Sequence, residues 1–218
     1  SIEKLARAEM DAILAGVAPL KKERGRHTRF PLAGQTWAMI FSKSSTRTRV
    51  SFEVGIRELG GQVIFLPAHE IQLGRGEPVK DMARVMGRMG HGAIFRTFAQ
   101  QDVEEFAHYA QIPTINALTD QEHPCQILTD IFTFQEKRGP IQGKVISFIG
   151  DGASNVATGS TAVAGERWGQ ARHELAHAAD PRSIHALHRA HKPQHFVEQY
   201  QHTRPIRSGE LKQILHHS

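Results

Sequence analysis

The sequence contains very little cysteine, because Cys125 is the single thiol among 218 residues. One cysteine excludes an internal disulfide framework and any zinc cluster built from cysteine ligands. No window approaches the run of roughly 18 apolar residues that a membrane-spanning helix needs. The segment from Ser1 to Arg7 contains no apolar stretch typical of a secretory signal. We therefore expect a cytoplasmic protein with no membrane partner.

The sequence also has no concentrated block of basic charge, although its net charge is +5 and its pI is about 9.6. Residues 1–140 contain 18 basic and 16 acidic side chains, and residues 141–218 contain nine and six. No basic stripe with interleaved aromatic residues is present, so we expect no nucleic-acid partner. Histidine is unevenly distributed along the chain, because nine of the 14 histidines fall in residues 173–218.

Short apolar runs alternate with amphipathic segments over the first 150 residues. This alternation predicts an α/β fold in which residues 1–140 form a parallel four-stranded sheet flanked by helices. The expected strands are 36–41, 62–66, 93–95 and 112–116, with a fifth strand at 144–149 beginning a second domain. The expected helices are 1–16, 50–59, 78–89, 102–110 and 124–137.

The alternation stops near residue 158. Only ten of the 58 residues in 161–218 are Val, Ile, Leu or Phe, a share below the roughly 20% typical of chains that form a core. We therefore expect 141–218 to be a truncated or aberrant second α/β domain, aberrant from about residue 159. Our hypothesis for the abrupt change is a shifted reading frame.

One motif in this region is typical of a zinc site, namely His173-Glu174-Leu175-Ala176-His177. On a helix, this spacing places two histidines one turn apart as metal ligands, with the glutamate as a base. In so histidine-rich a segment a chance match is common, and Pro181 ends the helix soon afterwards. A zinc metalloprotease is therefore a remote alternative, and we expect no metal site.

Hydroxyl and guanidinium groups follow the first predicted strand, in the segment 42–49 that opens the second helix. Backbone N–H groups at a helix N-terminus attract an anion, and arginine forks suit a phosphate group. The segment therefore predicts an anion site, although a simple helix cap with solvated arginines remains an alternative. The candidate donors are Ser45, Thr46, Arg47, Thr48 and Arg49.

A second set of polar residues follows the fourth predicted strand. Pro124 suits the first position of a helix, which places His123 at the cap. From there the imidazole can donate to a carbonyl oxygen that becomes more negative during a reaction. Gln126 can bind an amide, and we interpret Glu122 as a solvated acid. A capping histidine without a ligand remains the alternative.

Two further residues lie in loops that reach the same edge of the sheet. Arg96 directly follows the third predicted strand, and Gln72 lies in the loop after the second. Ligands of parallel sheets bind at the carboxyl ends of the strands. Donors in several of these loops therefore predict one shared ligand site, over which the Gln72 loop can close.

Two motifs together resemble the signatures of the aspartate/ornithine carbamoyltransferase family. Ser45-Thr46-Arg47-Thr48-Arg49 is similar to S-T-R-T-R, and His123-Pro124-Cys125-Gln126 is similar to H-P-x-Q, in the same order and separation. Residues 81–86 also resemble the D-x-A-R-V-L helix of the family. Residues 41–44 and 72–74 look more like the ornithine branch, and the resemblance extends to about residue 158.

The resemblance implies an enzyme that transfers the carbamoyl group of carbamoyl phosphate to the side-chain amine of ornithine. The products would be citrulline and phosphate, in arginine biosynthesis, without a cofactor and in a homotrimer. The residues implied for the phosphate are Ser45, Thr46, Arg47 and Thr48, with Gln72 closing the site and with Arg49 and Pro124 in support. The residues implied for the carbamoyl group are the catalytic Arg96, His123 and Thr48, with Gln126 on the amide, and Asn155 is implied for ornithine.

The resemblance does not extend to the motifs of the second domain. Neither D-x-W-x-S-M-G nor H-C-L-P occurs within residues 141–218. We therefore expect this chain to bind carbamoyl phosphate weakly and not to turn over ornithine. A non-catalytic carbamoyl-phosphate-binding fragment is the alternative.

Overall fold

The computed structural model describes Ile2, residues 4–142 and Asn155. Within this range helices and strands alternate, and two 3-10 turns, Ala68–Glu70 and Gln72–Arg75, follow the second strand. The strands are β1 (Thr36–Phe41), β2 (Gln62–Pro67), β3 (Gly92–Arg96) and β4 (Thr114–Leu118). The helices are α1 (Arg7–Lys22), α2 (Thr46–Glu58), α3 (Val79–Met89), α4 (Gln100–Ala110) and α5 (Pro124–Arg138).

The four strands form one sheet in the order β2-β1-β3-β4. All three strand pairs are parallel, which confirms the predicted fold class. Because every strand has the same direction, all the loops that follow the strands lie at one edge. The order makes β1, β3 and β4 neighbours at that edge, with β2 outside β1.

The central strand β1 is apolar at successive positions because both of its faces are covered. Ala38 and Ile40 belong to a core formed with α3 and α4. Trp37 and Met39 belong to a second core on the opposite face, which includes Ile56 of α2. A strand covered on both faces shows a continuous apolar run instead of alternation, and the sheet is therefore the middle layer of three.

A separate apolar cluster joins the first and last helices of the described region. Met10 and Leu14 of α1 pack with Ile127, Ile131 and Phe134 of α5. The cluster packs against one side of α5. Helix α5 also contacts β4, the strand that precedes it. The first turn of α5, which bears candidate site residues, is thereby fixed in position.

Helix α5 begins at Pro124 as predicted, but the other four helices begin at different residues from those predicted. Helix α1 spans 7–22 instead of 1–16, because the Ala6 N–H donates to Glu9 Oε2 at 2.6 Å and begins the helix there. Helix α2 begins at Thr46 instead of residue 50, because Ser45 caps it. Much of the predicted anion loop is therefore the first turn of a helix.

The fourth strand is displaced by two residues from its expected position, and it spans 114–118 instead of 112–116. Pro113 has no N–H to donate to a neighbouring strand, and Gln111 adopts a left-handed conformation with φ 54°. Both features delay the start of the strand. The displacement moves Asn116 from the last position of the predicted strand to the middle of β4.

Several predictions concern parts of the chain outside the described residues. These are the fifth strand at 144–149, the aberrant second domain and the motif 173–177. The domain division at residue 140 also stays a prediction. Among the helices of the described region, none has the length and the apolar character needed to cross a membrane.

Candidate active site

Backbone hydrogen bonds join the three loops that leave β1, β3 and β4. The Ser42 N–H donates to the Arg96 carbonyl at 2.8 Å, and the Thr97 N–H donates to the Leu118 carbonyl at 3.0 Å. These bonds continue the pairing of the sheet beyond the ends of the strands. The predicted site residues in these loops are therefore brought to one edge.

The first turn of α2 presents the hydroxyl donors of the first motif. The Thr48 N–H donates to Ser45 Oγ at 3.3 Å, and Ser45 Oγ donates to Thr48 Oγ1 at 2.9 Å. Thr46 and Arg47 are exposed in the same turn. Their N–H groups have no acceptor within the helix, as in the first turn of any helix. The turn therefore presents hydroxyl and backbone N–H groups that can donate to an anion.

Arg96 joins this turn to the centre of the sheet edge. Its Nη1 donates to Thr48 Oγ1 at 3.4 Å, and its buried Nε has no hydrogen-bond partner within the described region. Desolvation of the half-buried guanidinium lowers the pKa of Arg96 from its ordinary value. A buried cationic donor without an acceptor suits a ligand that brings an oxygen.

An irregularity in the sheet lies next to Arg96. Phe95 pairs with Asn116 but Arg96 pairs with Leu118, so Ala117 is left over on β4. Such bulges bend a strand and change the direction of a neighbouring side chain. The direction of Arg96 at the sheet edge is therefore a product of strand pairing.

His123 caps α5 and faces the same edge, as predicted, with Pro124 in the first turn. Its buried Nδ1 has no hydrogen-bond partner among the residues described. Burial and the positive charge of Arg96 lower the pKa of His123 to about 4. The imidazole is therefore neutral at neutral pH, and it can donate to an oxygen without repelling Arg96.

The pKa of His123 predicts a pH-dependent loss of stability. An unfolded chain protonates this imidazole near pH 6.5, whereas the folded chain does so near pH 4. The contribution of the neutral His123 imidazole to stability is therefore full above pH 6.5, and it is lost as the pH falls from 6.5 towards 4. Allowing for solvent screening, we expect the parent chain to lose about 1 kcal/mol more than His123→Gln between pH 7 and pH 5.

Urea unfolding of both chains at pH 7 and pH 5 measures this difference directly. Acidic residues titrate in both chains, so their contribution cancels in the comparison. Equal losses for the parent chain and His123→Gln would contradict the prediction.

A buried polar network fixes the loop that carries His123. Thr119 is fully buried, its Oγ1 donates to Gln100 Oε1 at 2.9 Å, and it accepts from the Glu122 N–H at 3.0 Å. Gln100 Oε1 also accepts from Asn116 Nδ2 at 3.2 Å. No predicted motif included these residues, although a cluster of short polar residues at the end of β4 is a sequence signal for such a network.

Glu122 is not the solvated acid that we expected. Its side chain is half-buried, and its Oε2 accepts a hydrogen bond from the Ile2 N–H at 3.1 Å. The apolar Ile2 side chain is itself buried against α5, which brings the start of the chain to this carboxylate. Glu122 therefore connects the loop to the N-terminal segment.

Cys125 lies in the second motif but is not a nucleophile at neutral pH. Its Sγ donates to the Asn116 carbonyl at 3.4 Å. Burial raises the pKa of the Cys125 thiol to about 11, so the thiolate that would attack a substrate is scarce. The residue packs the first turn of α5 against β4.

The remaining predicted residues, Gln126, Asn155 and Gln72, differ in their burial and in their hydrogen-bond partners. Gln126 is half-buried, and its Nε2 donates to Asp130 Oδ1 at 2.8 Å. Asn155 Nδ2 donates to the Thr119 carbonyl at 2.8 Å, which places Asn155 beside the loop that carries His123. Gln72 is exposed in its 3-10 turn, without a hydrogen bond to the other site residues described.

Arg49 contacts β2 and its own helix. Its guanidinium lies 3.7 Å from the centre of the Phe65 ring, and its Nε is 3.7 Å from Glu53 Oε2. A cavity of about 800 Å³ opens beside it, lined by Ser45 and Thr46 among others. Within the described region no three side chains of His, Cys, Asp or Glu are grouped to hold a metal ion.

Comparison with known families gives one match over most of the described region. The profile of the aspartate/ornithine carbamoyltransferase carbamoyl-P binding domain matches residues 1–136. An ornithine carbamoyltransferase of Akkermansia muciniphila is 64% identical over 159 residues, which is 72% of this chain and 52% of the relative. One of Methanocorpusculum labreanum is 54% identical over 153 residues, 70% of this chain and 50% of the relative. The chain spans about half the length of these relatives.

Solved structures give the same result. The ornithine carbamoyltransferase of Burkholderia thailandensis superimposes with a TM-score of 0.73 at 40% identity, over 84% of this chain and 64% of that chain. The Pyrococcus furiosus ornithine carbamoyltransferase gives a TM-score of 0.75 at 39% identity, over 85% of this chain and 60% of that chain. Aspartate transcarbamoylase of Trypanosoma cruzi, solved with carbamoyl aspartate and phosphate, gives a TM-score of 0.69 at 26% identity, over 75% of this chain and 54% of that chain.

Proposed function

The chain belongs to the aspartate/ornithine carbamoyltransferase family through its carbamoyl-phosphate-binding domain, and from this we propose that the carboxyl edge of the sheet binds carbamoyl phosphate. The observation that carries the proposal is a pair of buried atoms, Arg96 Nε and His123 Nδ1, that have no hydrogen-bond partner among the described residues. Arg96 also donates to the Thr48 hydroxyl through Nη1. Polar atoms in this state are expected to be satisfied by a ligand.

The phosphate group is assigned to the first turn of α2. Ser45, Thr46 and Thr48 offer hydroxyl groups, and the backbone N–H groups of the turn add the positive end of the helix dipole. Arg47 is exposed and free to close its guanidinium on phosphate oxygens from solvent. Arg49 supports the turn from the β2 side. Gln72 is assigned to close the site.

The carbamoyl group is assigned to the adjacent donors. Arg96, His123 and Thr48 donate to the carbonyl oxygen, and Gln126 binds the carbamoyl amide. When an amine attacks the carbonyl carbon, negative charge grows on that oxygen, and fixed donors stabilise it. The bond to the phosphate oxygen then breaks, and the phosphate leaves with its charge held by the turn. Pro124 supports this arrangement by setting the start of α5.

The names of the relatives support ornithine as the acceptor, and the biological setting and the assembly are further parts of the proposal. We propose ornithine as the acceptor, citrulline and phosphate as products, arginine biosynthesis in the cytoplasm as the setting, and a homotrimer as the assembly. Asn155 is proposed to contact ornithine, from its position beside the Thr119 carbonyl. Weak binding and absent turnover by this chain stay predictions.

Arg47→Ala tests the location of the phosphate site. The side chain is exposed, so we expect its removal to leave the melting temperature of the unliganded chain unchanged. Loss of one charge-assisted contact is expected to raise the Kd for inorganic phosphate and for carbamoyl phosphate about tenfold. Calorimetric titration measures both constants, and thermal stabilisation by each anion provides a second readout.

Arg88→Ala is a matched control, because Arg88 is also exposed but lies in the last turn of α3, at the opposite edge of the sheet. It removes the same charge and is expected to leave both constants unchanged. Equal effects of the two substitutions would contradict the proposed site. A citrulline assay on the same chain separates the catalytic proposal from a fragment that only binds carbamoyl phosphate.

A further inference from the structure

A side-chain bridge crosses the sheet edge above the candidate site. The Lys43 ammonium pairs with the Asp120 carboxylate and lies 4.5 Å from the centre of the Phe98 ring. The Asp120 N–H donates to the Phe98 carbonyl at 2.8 Å. These three residues, here called the rim strap, come from the loops after β1, β3 and β4. None of the three belongs to the donor set assigned above.

The strap joins two loops that the sheet itself keeps apart. Strand β3 lies between β1 and β4, so the loops that contain Lys43 and Asp120 follow strands that do not pair. Backbone bonds connect each loop to the β3 side, through Ser42 and Arg96 in one case. In the other case they run from Thr97 to Leu118 and from Asp120 to Phe98. The Lys43 side chain passes over the β3 loop to reach Asp120.

The two ends of the strap lie next to the two halves of the donor set. Lys43 precedes Ser45 by two residues, and Asp120 precedes His123 by three. We propose that Lys43 and Asp120 are positioning residues that hold the α2 turn and the His123 loop at the separation that one carbamoyl phosphate molecule requires. This inference rests on the proposed function, because it concerns the same ligand.

The burial of Lys43 supports a positioning role. Its side chain is 21% exposed, whereas the side chain of Asp120 is 61% exposed. The ammonium is held by a carboxylate and by an aromatic face at the same time, and both attractions are lost if the loops separate. A lysine that binds the anion directly would instead have to leave Asp120, and removal of the carboxylate would then strengthen anion binding.

Four variants of the full chain test the strap: Lys43→Met, Asp120→Asn, the two combined, and Lys43→Arg. The Kd is measured by calorimetry for inorganic phosphate and for carbamoyl phosphate. We expect each of the first two to raise Kd about threefold to tenfold. The combined variant is expected to show no further increase, because either change breaks the same bridge. Lys43→Arg retains the charge and the ring contact, and it is expected to restore the parent Kd.

A second lysine in the chain provides a matched control. Lys21 pairs with Glu136 at 2.8 Å and lies 5.5 Å from the centre of the Phe132 ring, in a bridge between α1 and α5. Lys21→Met and Glu136→Gln make the same chemical changes away from the sheet edge. We expect both to leave the Kd for either anion unchanged.

The outcomes separate the strap from the proposed function. Tighter or unchanged binding by Asp120→Asn, additive effects in the combined variant, or failure of Lys43→Arg to restore Kd would each overturn the strap. If Arg47→Ala weakens binding and the strap variants do not, the proposed site stands and the strap alone is wrong. If the unmodified chain binds neither anion, the proposed function fails, and the strap fails with it.

Discussion

Arg96→Met is expected to raise the Kd for carbamoyl phosphate about a hundredfold or more, without lowering the stability of the unliganded chain. Two charge-assisted hydrogen bonds from one guanidinium, each contributing about 1.5 kcal/mol, account for an effect of that size. Arg96 already donates to Thr48 Oγ1, and its Nε is buried without a partner within the described region. These donors are already largely removed from water, so little hydration is lost when the ligand binds to them.

The stability of the variant follows from the same burial. The half-buried Arg96 guanidinium makes no ion pair with an acidic side chain in the part of the chain that the structure describes. Desolvation of an unpaired charge opposes folding, and methionine fills similar space without that cost. We expect the melting temperature of the unliganded variant to equal or exceed that of the parent. A large decrease would show that Arg96 has a structural role that the contacts do not include.

His123 provides an independent readout of Arg96. Burial is the larger cause of the low pKa of His123, and the charge of Arg96 is the second. The pKa of His123 is therefore expected to rise in Arg96→Met while remaining below its ordinary value, as followed by the NMR signal of the imidazole ring. Arg96→Lys retains the charge and is expected to keep the pKa of His123 low, although it loses the geometry of the guanidinium. An unchanged titration of His123 in Arg96→Met would contradict this account.

Gly87→Ala is expected to destabilise the fold by about 3 kcal/mol, which corresponds to a decrease in melting temperature on the order of 10 °C. Gly87 lies in α3 where that helix meets the end of α4. A Cβ atom on Gly87 would stand 2.1 Å from the Ala110 carbonyl oxygen. That oxygen belongs to the backbone, so the clash can be relieved only by separating the two helices.

Gly16→Ala makes the same substitution in α1, where a Cβ atom would meet nothing within 4 Å. Alanine is a better helix former than glycine, so this variant is expected to be more stable by about 0.5–1 kcal/mol. Opposite signs for the two variants in urea unfolding would confirm that close packing of α3 on α4 is the cause. Equal effects would contradict it.

Prediction from sequence succeeded best where one local pattern has one structural solution. The apolar run 36–41 became the central strand because both of its faces are covered. Pro124 began a helix because its missing N–H is not needed there, and this placed His123 at the cap. Prediction failed at the start of α2, because the cap from Ser45 extended the helix through residues that we had expected to form a loop.

The sequence by itself determined the class of the fold, the family and the loops that carry the proposed ligand donors, because each depends on short-range patterns and motifs. The tertiary structure alone decided the strand order that makes β1, β3 and β4 neighbours at one edge, and the bulge beside Arg96. It also decided the bridge from Lys43 to Asp120, whose residues are 77 positions apart. Contacts of this kind depend on which strands pair, and strand pairing is settled by the packing of the whole domain.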